Sequence, residues 1–176
     1  LAGSFAASGV VAALLHRERT GEGQAIDVSM ADCLFALIFD EPVDCYERLN
    51  IAARQGNSIM SFSPFNVFQT TDGWVAIGAA TDAEWRALLE VMVRNDIRSD
   101  AHMMNIEWRI VNNEQVDAVV TAWTKNKSKS DVVDALAAAR VPCSPVRSTE
   151  EVMQWSQLIE RGMILPLVNP LTGTAS

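Results

Sequence analysis

Histidine and cysteine are scarce in this chain, with two of the first and three of the second in 176 residues. His16 and His102 stand apart from Cys33, Cys45 and Cys143, so no spacing suited to zinc or another soft metal is present and no metal site is assigned. Three unevenly spaced cysteines cannot build a disulfide framework, and an odd count leaves one over; reduced thiols point to the cytoplasm. Basic residues are also in short supply. Fourteen Lys and Arg face 22 Asp and Glu, a formal net charge of −8, which argues against nucleic acid or an anionic membrane surface as a partner. The longest strongly apolar run, "FAASGVVAALL", has 11 residues and is followed at once by His16, Arg17, Glu18 and Arg19. A bilayer span needs about 20 apolar residues, and a signal peptide carries its positive charge before the apolar run rather than after it. With only 9 Gly and 6 Pro, and with 49% hydrophobic residues, the composition is that of a globular protein with a real core. The length suits one ordinary domain, or a small domain with a piece of another. The first residue is Leu rather than Met, compatible with processing, cropping or an incomplete reading frame.

What is there reads as alternating helices and short strands. Gly3 to Arg19 is apolar on nearly all sides, the pattern of a helix buried on nearly all sides. Gly21 suits its left-handed C-terminal position. "QAIDVSM" alternates Ile26, Val28 and Met30 against Asp27 and Ser29, as a strand does. Ser29 with Asp32 then forms a capping box ahead of "CLFALIF", and Pro42 should kink or stop that second helix. From about Tyr46 to Pro64 periodicity is lost, which marks a linker. Beyond it "FNVFQTTDGWVAIG" resembles a hairpin around Asp72-Gly73. Thr81 with Glu84 caps a helix whose Trp85, Leu88, Leu89 and Met92 share one face, and Val116, Val119, Val120 and Trp123 repeat that spacing. Val133, Leu136 and Ala137 do so more weakly. "VPCSPV" is extended but restricted by its prolines to an edge or loop. Ser148 with Glu151 caps a further helix through Val152, Trp155 and Ile159, closed by Gly162.

Chemistry is hard to find in these residues. Neither histidine accompanies a nucleophile turn of the G-x-S-x-G kind. "TGEGQ" lacks the G-x-G-x-x-G order and follows a helix instead of a strand, so a helix stop explains its glycines. The acidic residues read as solvated helix faces, and the five tryptophans as packing. No catalytic residue is assigned.

The motifs themselves are more specific. "AALLHRERTGEGQAIDVSMADCL", "RQGN" before "SPFNVFQTTDGWVAIGAATDAEWRALLEVM", "AARVPCSPVRSTEEV" and "ERGMILPLVNPLTG" occur in one order. Together they resemble the family III CoA-transferases, the group that includes formyl-CoA:oxalate and carnitine CoA-transferases and the alpha-methylacyl-CoA racemases. The resemblance implies an α/β fold, α+β in its small domain, helix-rich with short strands. It implies four segments: residues 1–45 ending the large Rossmann-like domain as helix, strand and helix, a 46–64 linker, a 65–147 small domain, and 148–176 starting the return to the large domain. In the family a nucleophilic aspartate forms mixed anhydrides and enzyme thioesters with acyl-CoA. No position here matches it, so the chain reads as a fragment without the catalytic half, inactive alone.

By the same resemblance Gly78, Ala79, Ala80 and Thr81 match a small-domain turn that lies near the acyl group across a homodimer. The racemase branch can carry a glutamate where Thr81 stands, and the glycine-rich loop of the formyl-CoA branch has no match before Phe65. No cofactor is implied; a CoA thioester enters as substrate of the parent family, and acyl-CoA is a partner only in a full-length context. Self-association is expected, because the apolar helix from Gly3 to Leu15 lacks the strands that cover it in the family. The competing reading is a stand-alone truncated module for binding or oligomerisation.

Overall fold

The computed structural model describes residues 1–38, 48, 50, 54, 56–59, 61–166 and 173. The chain forms two compact units, Leu1–Ala53 and Arg54–Ser176. In the first, α1 (Ala2–Thr20) ends at Gly21, whose φ of 81° is the left-handed conformation that needs no Cβ. The Gly21 N–H closes the helix on the Arg17 carbonyl at 2.8 Å, and Arg17 and Arg19 lie in the last turn, where the helix dipole favours cations. Ile26 then lies against Gly9, where a Cβ would come within 3.3 Å of its Cγ2. Ser29 accepts from the Asp32 N–H at 3.3 Å and starts α2 (Met30–Phe35), which packs on α1 and buries Cys33.

Two expectations for this unit are corrected. Residues 22–29 form no strand, although their alternation suits one. A strand exists only through a ladder of partners, and no described segment pairs with this one. The apolar helix α1 has no buried residue; Val11 is 67% exposed. Pattern announces that a surface wants cover and does not say what supplies it. Pro42 and most of the expected linker lie outside the described residues.

The second unit is built on an antiparallel sheet of β1 (Phe65–Thr70), β2 (Gly73–Gly78) and β3 (Cys143–Pro145), in the order β1-β2-β3. The hairpin register pairs Phe65 with Gly78 and Phe68 with Val75, around Thr71 and Asp72. Asp72 fixes this loop by accepting from the Lys129 N–H at 2.8 Å and the Thr70 hydroxyl at 3.1 Å. β3, which ends in Pro145, is an edge strand, its Cys143 opposite Ile77. Because paired residues share a face, Phe68, Val75 and Ile77 all point into the core.

Helices cover that face. They are α3 (Asp82–Val91), α4 (Asn95–Arg98), α5 (Ile106–Val111), α6 (Asn113–Thr124) and α7 (Lys129–Ala138). Trp85, Leu88 and Leu89 of α3, Val116 and Val120 of α6, and Val132 and Leu136 of α7 are fully buried there. Each such aliphatic side chain contributes roughly 1.5–3 kcal/mol by leaving water. The opposite face carries Phe65, Val67, Trp74 and Ala76, with Trp74 48% exposed. At the C-terminal end the single expected helix is two, α8 (Thr149–Met153) and α9 (Ser156–Glu160). The break falls at Trp155, whose extended backbone lets its ring stack beneath the Arg147 guanidinium at 3.9 Å. The architecture is thus mixed helix with a small antiparallel sheet.

Candidate functional site

β2 ends where the sheet meets α3, and the residues from Gly78 to Thr81 make that junction. The Gly78 N–H donates to the Pro142 carbonyl at 3.0 Å, and the Phe65 ring lies across its α-carbon. A Cβ at Gly78 would fall 2.7 Å from that ring, so a residue with no side chain is what permits this approach. The Ala79 N–H donates to the Pro64 carbonyl at 2.9 Å, and its methyl is fully buried in the core. Ala80 is half-buried and outside that core. Thr81 is exposed and caps α3: its hydroxyl accepts from the Glu84 N–H at 3.2 Å, and the Glu84 carboxylate accepts from the Thr81 N–H at 2.8 Å. The four residues are therefore continuous in space but unequal. Ala79 serves packing, Thr81 serves the cap, Gly78 admits the Phe65 ring, and Ala80 stays half-buried outside the core.

Gly78 opens onto a groove of about 420 Å³, lined among others by Asn57, Phe65, Val67, Ala76 and Ser144. Asn66, also at this groove, donates through Nδ2 to Asp117 at 2.6 Å and to the Ser58 hydroxyl at 3.0 Å. With its amide nitrogen turned toward Asp117, Asn113 donates to the same carboxylate at 3.0 Å and accepts from Ser58 at 3.2 Å. Burial raises the Asp117 carboxyl above its ordinary value, against the opposing hydrogen bond from Asn66. Cys143 lines the groove too. Burial pushes its thiol up to about 11, so it is protonated at neutral pH and a poor nucleophile.

Behind the turn, Arg109 of α5 is fully buried. Its Nε donates to the Ser63 carbonyl at 2.9 Å, Nη1 to the Met103 carbonyl at 3.1 Å and Nη2 to Asp82 at 3.3 Å. The guanidinium also lies 5.3 Å from the Trp85 ring centroid. Sequence reasoning missed both Arg109 and the Asn66–Asp117 pair. The one available signal was a lone Arg between Trp108 and Ile110 in an otherwise amphipathic turn.

A second concavity, of about 410 Å³, lies between the hairpin loop, α7 and α8. Lys129 and Glu151 pair across it, and the Glu151 carboxyl is held below its usual range by that ammonium. Its lining charges, Asp72, Lys129, Arg147 and Glu151, balance one another. The histidines lie elsewhere, with His16 exposed on α1 and His102 5.8 Å from the Trp108 ring. Among the described residues no group of three His, Cys, Asp or Glu is placed to hold a metal ion. No helix of the described residues is long and apolar enough to cross a membrane.

Residues 1–175 match the signature of CoA-transferase family III. The chain belongs to this family. A succinyl-CoA:mesaconate CoA-transferase of Haloarcula marismortui is 34% identical over 164 residues, covering 93% of this chain and 41% of that enzyme. A succinate–glutarate CoA-transferase of Agrobacterium fabrum is 27% identical over 94% of the chain and 41% of its own length. The family III chain thus spans about two fifths of the curated relatives it matches. Among solved structures, Rv3272 of M. tuberculosis superposes with a TM-score of 0.78 at 23% identity, over 99% of this chain and 45% of that one. A CAIB/BAIF family protein from Brucella suis gives 0.72 at 23%, over 95% and 44%. Both show the same fold.

Proposed function

We propose that this family III chain contributes the acyl-facing wall of an enzyme that moves CoA between carboxylic acids. The observation that carries the reading is the turn from Gly78 to Ala80. Gly78, followed by the buried Ala79, opens onto a groove, and the resemblance implies that this turn lies near the acyl group in the family. Succinyl-CoA is the donor to try first, since the relatives above are named for succinyl-CoA or succinate. In this reaction a carboxylate attacks the thioester carbonyl and expels CoA thiolate, leaving a mixed anhydride. The thiolate then attacks the enzyme's side of the anhydride and releases the acid, and a second acid runs the sequence in reverse. No residue of this chain is assigned the nucleophile, and the chain alone is expected to be inactive. Three unevenly spaced cysteines, too few for a disulfide framework, fit a cytoplasmic setting.

Mass-spectrometric exchange of CoA between succinyl-CoA and mesaconate, with hydroxylamine trapping of any enzyme thioester, tests this. The chain alone should show neither signal, and turnover that persists after removal of host enzymes would overturn the assignment. A continuous reading frame whose longer product exchanges CoA would support it. The exposed apolar side chains of α1, with Val11 67% and Leu15 47% exposed, favour a second reading: a self-associating module without catalysis, as a homodimer. A start immediately before Leu1 and a stop after Ser176 would favour that one, and a clean monomer in sedimentation at micromolar concentration would count against it.

A further inference from the structure

Arg109 is a puzzle as a structural residue. Moving a guanidinium out of water costs several kcal/mol, and an apolar side chain of similar volume often holds a core at least as well. Its one counter-ion among the described residues, Asp82, is half exposed and at 3.3 Å, a weak return for a cation that is itself fully buried. Burial accordingly lowers its pKa, against the favourable pull of Asp82. What a guanidinium has and an apolar group lacks is a rigid fork that reaches several acceptors at fixed angles.

Those acceptors bracket one feature. Ser63 is bonded through its carbonyl to Arg109, and the next residue, Pro64, accepts the Ala79 N–H. Asp82, the second point of attachment, directly follows Thr81. Met103 supplies the third, and its carbonyl also accepts from the Trp85 indole at 2.9 Å, one turn into α3. The chain before β1, the start of α3 and the 103 loop therefore meet on one side chain, with Gly78–Thr81 suspended between the first two.

We infer that Arg109 is the positioning residue for the Gly78–Thr81 turn, fixing the chain at both ends of it and so setting the width of the groove mouth. Calling the turn a substrate wall rests on the transferase reading above; the clamp itself does not. Arg109 makes no contact with a reacting atom and acts only through the backbone it holds.

Amide hydrogen exchange on this 176-residue chain tests the clamp with no ligand present, so its outcome is separable from that of the CoA-exchange assay. Arg109→Met fills the space without donors, Arg109→Lys keeps the charge but reaches one acceptor, and Asp82→Ala cuts one arm at its exposed end. In Arg109→Met, exchange at Ala79 and Glu84 should rise at least tenfold beyond any change at Val116 and Val120. Arg109→Lys should restore part of that protection at one end of the turn, and Asp82→Ala should loosen Glu84 while leaving Ala79 protected. Uniform acceleration at all four amides would make Arg109 a packing residue only and overturn the inference, as would unchanged turn protection in a folded Arg109→Met. Should Arg109→Met fail to fold, Asp82→Ala decides alone: selective loosening of Glu84 supports the clamp, and wild-type exchange there refutes it.

Discussion

Thr81→Ala is the sharpest perturbation of the candidate turn, because the residue has two possible employers. The Thr81 hydroxyl accepts from the Glu84 N–H at 3.2 Å and donates to the Glu84 carboxylate at 2.9 Å. Both capacities are used, and the reciprocal bond from the Thr81 N–H to the carboxylate, at 2.8 Å, completes the box. Removing the hydroxyl leaves one first-turn N–H to water, a loss of about 1 kcal/mol for an exposed cap. Fraying here is not a local matter. Trp85 is the next residue after Glu84 and is fully buried, so the loss should appear in global unfolding of the second unit. For a domain of this size it corresponds to roughly 3–6 °C in Tm. Urea titration should show a lower midpoint at unchanged slope. Thr81→Ser should retain nearly all the stability. Glu84→Ala combined with Thr81→Ala should cost less than the sum of the two, since both break one motif. A Thr81→Ala chain as stable as the parent would refute the cap and leave the hydroxyl to be explained by a ligand.

Four further outcomes follow from the same geometry. Ala79→Leu should destabilise by about 1–3 kcal/mol through overpacking, whereas Ala80→Leu should be nearly neutral in melting; equal losses would mean that Ala80 is also core. Gly78→Ala should displace the Phe65 ring at a cost of about 1 kcal/mol that disappears in a Phe65→Ala background, and additive losses would show that the backbone is at fault. Cys143 should resist iodoacetamide at pH 8 and react only as pH approaches its value of about 11; rapid labelling at pH 8 in the folded chain would contradict its burial. Asp117 should titrate above the ordinary carboxylate range by carbon NMR. A carboxyl that binds its proton more tightly folded than unfolded subtracts from stability when ionised. Its effect is thus relieved as pH falls through the native value, and a midpoint at or below 3.8 would refute it.

Those parts of the fold that depend on a few neighbouring residues were readable from the chain. Period and cap together define α3, since Trp85, Leu88 and Leu89 recur on one face and Thr81 with Glu84 marks the start. The Ser29 and Ser148 caps, the left-handed Gly21 and the hairpin are of the same local kind, although its two-residue loop is Thr71–Asp72 and not the expected Asp72-Gly73. Failures occur where the deciding partner is distant. The 24–30 segment has a strand's alternation without a strand beside it among the described residues, and α1 has a buried helix's composition without a buried residue. Trp155 counts as a helical position by spacing, yet Arg147 draws its ring into a stack that interrupts the helix. Arg109 is the extreme case. Nothing near it in sequence says that carbonyls of residues 63 and 103 and a carboxylate of residue 82 converge on it.

Around the turn, the thiol and the charged groups described above are already engaged. The Cys143 thiol is held protonated, and the Asp117 carboxylate is bonded to two asparagines and biased toward its neutral form. Glu84 is committed to the cap, and Arg109 to three oxygens on the far side of the turn. What is left uncommitted is space: the room around the half-buried Ala80 and the groove that Gly78 and the Phe65 ring line. A wall of that kind discriminates by volume, and discrimination by a methylene or two is worth only about 1–3 kcal/mol. Substitutions that fill the space should therefore shift preference between acids by roughly 10- to 200-fold. Under the proposed transferase reading they should not abolish transfer, because in that reading bond making rests with a carboxylate that this wall does not supply. If Ala80→Leu, placed in a longer family III protein with demonstrated exchange, removed all activity while leaving the fold intact, the turn would have a chemical role that none of its described side chains explains.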